Sequence, residues 1–160
     1  MSDAVIGIDL GASSLKLVAL SPKNNSWEVT GVGIVANPIG RLTATAAEEK
    51  NKLAIALKSA AKSLRVDTRK VRVGLAESQV FTRVIQLPVL SEAELASAIQ
   101  WEAEQHIPIP LAEAQLDYSV ISRPEKGIKE GNMRVLLVAA KKSVVTELAS
   151  LFAMTDLGKW

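Results

Sequence analysis

The chain has no cysteine, one histidine, three tryptophans, two phenylalanines and one tyrosine in 160 residues. Without cysteine there is no disulfide, no thiolate metal site and no sulfur nucleophile, and the composition suits a reducing compartment. A single histidine supplies too few ligands for a histidine-based zinc site and leaves no Ser–His–Asp arrangement to build. Aromatic residues make up 4% of the chain, so the core is expected to be aliphatic. The net charge of +2 is small, and the basic residues are scattered without interleaved aromatics. That excludes a nucleic-acid surface as the first expectation. The longest purely apolar run, Val135 to Ala140, falls far short of the roughly 20 residues of a membrane helix. No basic segment followed by a long apolar stretch opens the chain, so no secretory signal is read. A soluble, cytoplasmic protein is expected.

What is present is 48% hydrophobic and 22% charged residues, enough for a packed core. The length accommodates one ordinary domain or two small ones. The chain is organised around Val5 to Leu20. An apolar run ends in Asp9, a turn of small residues follows at Gly11-Ala12-Ser13-Ser14, and a second apolar run carries Lys16. Two short β-rich runs separated by a few small residues predict a hairpin. A turn with so little side chain lets backbone N–H groups approach an anion closely. Asp9 is placed to hold hydrated Mg²⁺, which favours one or two carboxylates with waters and phosphate oxygens. Lys16 is placed to reach a phosphate as a point charge. The stretch is neither a Walker loop nor a dinucleotide fingerprint, and Asp is also an ordinary turn initiator.

Further along, Pro22 to Ser26 reads as a turn and Trp27 to Ala36 as a third strand, completing an antiparallel meander that Asn37-Pro38-Ile39-Gly40 ends. Thr45 to Leu64 reads as a helix, with Thr45 and Glu48 fitting a capping box and Leu53, Leu57, Ala60 and Leu64 forming one stripe. Lys50, Lys52, Lys58 and Lys62 flank the stripe as a solvated face. After a connector at Val66–Lys70, Val71 to Leu75 is a fourth strand, expected parallel to the first because a helix crosses over between them. A second module starts near Ala76. Val80 to Pro88 is a strand, Ser91 to Gln105 a helix capped by Ser91 and Glu94, and His106 to Leu111 an extended segment with alternating prolines. Asp117 to Ile121 is a strand, Pro124 to Gly131 a charged loop, Arg134 to Ala140 a strand and Ser143 to Leu157 an amphipathic helix. Glu102, Glu104 and His106 read as a solvated helix end rather than a metal site, because residues two apart on a helix face apart. Trp101 is expected to pack.

Gly7-Ile8-Asp9-Leu10-Gly11-Ala12-Ser13-Ser14-Leu15-Lys16-Leu17 resembles the first phosphate loop of the actin/hexokinase/chaperone ATPase superfamily. The stretches Glu77 to Pro88, Ile99 to Pro110, Asp117-Tyr118 and Arg134 to Ala140 are similar to those of the PilM family of type IV pilus assembly proteins, relatives of the cell-division protein FtsA. The resemblance spans almost the whole chain. It implies an α/β fold: the N-terminal portion of an actin-like, ribonuclease H-like core (subdomain 1A, residues 1–75). An inserted FtsA/PilM-type 1C subdomain and the start of a return to the core would follow, at residues 76–157. It also implies an ATP·Mg site, with Asp9 toward Mg²⁺, Gly11, Ala12, Ser13 and Ser14 toward phosphate oxygens, and Lys16 toward the terminal phosphates. The second phosphate loop, the adenosine pocket and a residue orienting an attacking water are not found in these 160 residues. The ATP clamp is therefore expected to be incomplete, with the bare face of the core half open to self-association.

The resemblance further implies a partner. PilM proteins capture the cytoplasmic N-terminal peptide of PilN, a membrane protein of the pilus platform, in a groove between the inserted subdomain and the core half. Extended peptides take sheet edges or apolar grooves. On that logic Val80, Phe81, Ile85, Leu87, Ile107 and Ile109 are candidate groove residues, with plain core packing as the alternative. The expected role is a cytoplasmic binding module at the inner face of the membrane, reached only indirectly through PilN. Two rivals share the opening loop: a sugar-kinase-like or other superfamily ATPase, and an FtsA-like division protein. The first would show a catalytic acid or base and a second phosphate loop, and neither is found. The second would carry a C-terminal amphipathic membrane helix, which this sequence does not show.

Overall fold

The computed structural model describes residues 4–64, 70–124, 131–155 and 157. In chain order its elements are β1 (Val5–Leu10), β2 (Ser14–Lys23), β3 (Ser26–Ala36), α1 (Ala47–Ser63), β4 (Val71–Gly74), β5 (Val80–Pro88), α2 (Glu92–His106), β6 (Ala114–Ser122), β7 (Asn132–Lys141) and α3 (Lys142–Ala153). Short 3-10 turns precede β5 and β6. The chain divides into two compact units, one holding residues up to Ala76 with those from Thr146 on, the other Glu77–Val145. The connector at Val66–Lys70, the charged loop at Pro124–Gly131 and Gly158-Lys159-Trp160 lie, save for Lys70, Pro124 and Gly131, outside the described residues.

In the first unit a four-stranded sheet runs in the order β3-β2-β1-β4. The first three strands form the expected meander, and β4 lies parallel to β1 with Ile6 opposite Val71 and Asp9 opposite Gly74. Strand alternation sends Ile6, Ile8, Leu15, Leu17 and Val71 to one face, where Leu53, Leu57 and Ala60 of α1 and Leu151 and Phe152 of α3 cover them. β3 contributes glycine to that face. A Cβ on Gly31 would lie 2.9 Å from the Leu64 carbonyl oxygen and 3.2 Å from its Cα, so the end of α1 rests directly on the strand.

β3 also carries a bulge. Ala19 pairs with Gly31 but Leu20 with Val29, leaving Thr30 as an extra residue. The bulge restores parity, so Trp27, Val29, Val32 and Ile34 all emerge on the face away from α1, each more than half exposed. The β2–β3 turn is tighter than Pro22–Ser26. β2 continues through Pro22 and Lys23, and Asn24 takes the left-handed conformation at φ 54°. Pro22 is tolerated because β1 stops pairing at Leu20, so no ladder donor is required there.

The start of α1 differs from expectation. Glu49, not Glu48, reaches back, accepting from the backbone N–H groups of Thr45 (2.9 Å) and Ala46 (3.2 Å) while pairing with Arg41. Ala46 occupies the N-cap and offers no side-chain acceptor, so only one half of a capping box exists. Glu48 instead pairs with Lys52 one turn on, at 2.7 Å.

In the second unit β5, β7 and β6 form an antiparallel sheet in that order. Leu95, Ile99 and Ala103 of α2 close over Ile85, Leu87, Met133, Val135 and Leu137. The Ser91–Glu94 box forms as expected, with Glu94 accepting from the Ser91 N–H at 2.9 Å and Ser91 accepting from the Glu94 N–H at 3.4 Å. β6 is longer than Asp117–Ile121 because β7 templates its pairing back to Ala114 opposite Lys141. Trp101 is a correction: it is 62% exposed rather than packed. α3 ends earlier than Leu157, because Thr155 bonds the Phe152 carbonyl at 2.8 Å and accepts from the Leu157 N–H at 3.1 Å, turning the chain.

Candidate functional site

β1 and β2 place Asp9 and Lys16 directly opposite one another. Alternation puts both on the face away from α1, and the Lys16 Nζ lies 3.0 Å from an Asp9 carboxylate oxygen, each side chain more than half exposed. Toward β4 the strands carry little bulk on that face, while on the β3 side Val32 and Ile34 stand beside Val18 and Lys16. Gly7 lies two residues before Asp9, and Gly74 is its partner on β4. A Cβ on Gly7 would press to 3.2 Å from a Val18 methyl, so glycine keeps the surface low there. The result is a shallow depression of about 440 Å³, floored by Gly7, Val18 and Gly74 and bordered by Asp9, Lys16 and Arg72 and by the apolar Val32 and Ile34.

At the end of this pair the chain turns through Gly11–Ser14. The Gly11 N–H donates to the Ser14 carbonyl at 3.0 Å. A Cβ on Gly11 would sit 2.8 Å from that same oxygen, so no other residue fits without opening the turn. Ala12 and Ser13 are exposed at its tip. A carboxylate, an ammonium and a turn of small residues thus converge within one hairpin. The donor set fits a phosphate with hydrated Mg²⁺: one carboxylate for the ion's waters and one point positive charge for the anion. Among the described residues no group of three His, Cys, Asp or Glu could hold a metal by itself, so such an ion would depend on phosphate oxygens.

Sequence reading missed three contributors. Arg72 and Gly74 reach the site only through the parallel β1–β4 pairing, which joins residues far apart in the chain. The third is Asn37, just past β3. Its side-chain amide donates to the Gly11 carbonyl and to the Arg41 carbonyl, both at 2.8 Å, and its own N–H donates to the Ser13 carbonyl at 3.0 Å. The Asn-Pro-x-Gly signature marks a turn, and nothing in it points back to residue 11.

The six candidate partner residues fall on both faces of the second unit's sheet. Ile85, Leu87 and Ile107 are buried in its core, and Phe81 and Ile109 pack half-buried against it. Val80 lies half-buried on the opposite face of β5, the face that also carries the exposed Val84. At the end of α2, His106 lies 3.2 Å from Glu102, one turn back, as an ordinary helix-surface pair.

An antiparallel meander, a crossover helix into a strand parallel to the first, a small-residue turn between strands one and two, and a second α/β unit inserted within the first define a mixed α/β protein of two units. The chain belongs to the family of type IV pilus assembly protein PilM, whose pattern matches residues 7–159. A solved PilM–PilN type IV pilus biogenesis complex contains a chain 28% identical to this one. It superposes with a TM-score of 0.82 over 96% of this chain and 45% of that one. The cytoplasmic domain of EpsL, an inner-membrane component of the type II secretion system of Vibrio cholerae, shares the fold at 15% identity and a TM-score of 0.55. There the match covers 98% of this chain and 56% of that one. The chain thus spans about half the length of these solved relatives. No helix among the described residues is long and apolar enough to cross a membrane.

Proposed function

We propose that this chain is a cytoplasmic, actin-like component of the type IV pilus inner-membrane platform, which captures the N-terminal cytoplasmic peptide of a PilN-type membrane protein. The observation that carries this reading is the likeness to the PilM–PilN complex, which extends over nearly the whole chain at a TM-score of 0.82. Contact with the membrane is then indirect, through the partner. An extended peptide needs unpaired backbone and accessible apolar side chains. In the second unit β5 and β6 are the sheet's edge strands, and Val80, Phe81 and Ile109 keep part of their surface accessible. Those three are the partner-binding candidates that accessibility favours; Ile85, Leu87 and Ile107 support them from the core.

The same reading assigns ATP·Mg as a ligand of the first unit. Asp9 holds the hydrated ion, the Gly11–Ser14 turn takes phosphate oxygens, and Lys16 neutralises terminal phosphate charge. Bound Mg²⁺ supplies charge neutralisation. In this reading ATP acts as a structural or conformational ligand. The apolar stripe of Trp27, Val29, Val32 and Ile34, whose last two residues also line the depression beside Lys16, supplies the surface for self-association with a second copy in the absence of nucleotide.

Calorimetric titration tests both ligands separately. The PilN N-terminal peptide is expected to bind the chain and to lose affinity with Phe81→Ala or Ile109→Ala. A peptide that binds neither the wild type nor a chain saturated with ATP·Mg would remove the platform role. ATP·Mg is expected to bind the wild type and to lose binding with Asp9→Ala and with Lys16→Ala. Equal binding by all three would move the nucleotide elsewhere.

A further inference from the structure

The turn between β1 and β2 carries one internal backbone bond, from the Gly11 N–H to the Ser14 carbonyl, which ties its ends. Asn37 holds the turn from outside as well. Its side-chain amide donates to the Gly11 carbonyl at 2.8 Å, and its backbone N–H donates to the Ser13 carbonyl at 3.0 Å. The two oxygens are thereby drawn toward the β3 side of the turn. In a planar trans peptide the C=O and N–H point in opposite directions. Fixing the Gly11 and Ser13 carbonyls therefore fixes the N–H groups of Ala12 and Ser14, and aims both away from Asn37. A backbone amide aimed out of a small-residue turn is a donor that an anion can meet.

Asn37 is itself held on every side. Its second amide hydrogen goes to the Arg41 carbonyl at 2.8 Å, and its side-chain oxygen accepts from the Ile39 N–H at 2.9 Å. The Gly40 N–H donates to its carbonyl at 3.3 Å, with Gly40 at φ +64° closing the loop. Pro38 keeps Asn37 out of the helical region. Only a primary amide meets these demands, since two donors and one acceptor on one short side chain are needed. Aspartate keeps the acceptor and loses both donors, and leucine loses all three.

We infer that Asn37 is a positioning residue for an anionic phosphate ligand: its side chain orients the Ala12 amide of the β1–β2 turn without touching the ligand itself. The inference rests on the nucleotide reading of the hairpin. It makes the loop after β3 part of the site, 26 residues downstream of Gly11.

The test combines ATP·Mg titration with amide hydrogen exchange on the 160-residue chain and on Asn37→Ala and Asn37→Leu. With neutral hydrogen bonds of ordinary strength removed, affinity is expected to fall about tenfold or more in both variants. Exchange should accelerate at residues 11–14, while amides of β7 and the melting temperature stay close to wild type. Asn37→Asp, which adds charge, should lose more affinity than Asn37→Ala. Wild-type affinity with unchanged exchange at residues 11–14 overturns the inference. So does acceleration spread evenly over the whole sheet, which marks a purely structural residue. Should the wild type itself fail to bind ATP·Mg, the nucleotide reading and this ligand fall together. Exchange at residues 11–14 still decides alone whether Asn37 holds the turn.

Discussion

Asp9 and Lys16 are direct cross-strand partners whose charged ends meet at 3.0 Å on an exposed face. An exposed ion pair contributes only about 0.2–1 kcal/mol to stability. Its two groups nevertheless carry the ion and phosphate contacts in the nucleotide reading. Asp9→Ala and Lys16→Ala should therefore melt within a few degrees of wild type yet lose ATP·Mg binding. The double variant Asp9→Lys/Lys16→Asp sharpens this. It restores an ion pair across the same register and should restore what little stability the pair gives, while leaving binding abolished. Recovery of binding in the swapped variant would show that the pair matters only as a pair.

Gly31 marks where α1 comes to rest on β3. A methyl group there meets backbone atoms of Leu64 at 2.9 and 3.2 Å, and backbone cannot swing aside as a flexible side chain can. Overpacking of this kind costs about 1–3 kcal/mol. Gly31→Ala should lower the denaturant midpoint without changing the slope, and Gly31→Val should lower it further. Gly40→Ala is the control for lost backbone freedom, since a Cβ at Gly40 meets nothing within 4 Å but its φ is +64°. A Gly31→Ala variant as stable as wild type would mean that α1 stands off the sheet.

Much of this was legible beforehand, and the reasons divide cleanly. Asp9, the turn and Lys16 share one hairpin, so strand alternation alone puts the two charges on one face. β5 and α2 are punctuated by their own chemistry, Pro88 at one end and the Ser91–Glu94 box at the other. What could not be read depends on contacts between distant residues or on near-ties between neighbours. Asn37 bonds to Gly11 across the meander. Thr30 bulges out beside Gly31, which sits under Leu64. Glu49 rather than Glu48 reaches the start of α1 because Arg41, from the preceding loop, holds it there. Hydrophobicity placed Trp101 inside, but the stripe of Leu95, Ile99 and Ala103 had already filled the face that α2 turns to its sheet. The candidate partner residues show the same limit: an apolar residue on a strand reads alike whether it fills a core or meets a peptide.

Phe152 reports on how the chain returns to the first unit. It is fully buried there, although α3 begins immediately after β7 of the second unit. Truncating a buried phenylalanine costs about 3–5 kcal/mol. Phe152→Ala should therefore destabilise the first unit selectively. Exchange should accelerate at the amides of β1 and β2, while those of β5 and β7 change less. Equal acceleration in both units would show that they unfold as one cooperative body.

Glu49 gives the fold an acid sensitivity with a defined sign. The Arg41 guanidinium and the backbone N–H groups of Thr45 and Ala46 hold its carboxyl at about 2, below the ordinary 4.5. A carboxylate with a folded value below its unfolded one stabilises the protein above the unfolded value, and that contribution disappears as pH falls through the folded one. The wild type should thus be more stable than Glu49→Gln at pH 7, with the gap narrowing from pH 5 downward and closing near pH 2. Glu94, also lowered by its hydrogen bonds to Ser91, titrates in both proteins and cancels in the difference, while Glu48, held low chiefly by Lys52, feels the Glu49 charge only as its smallest influence. Thermal melts of the two proteins between pH 2 and 7 measure it. A gap that stays constant over that range would mean that Glu49 acts through helix packing rather than through its charge.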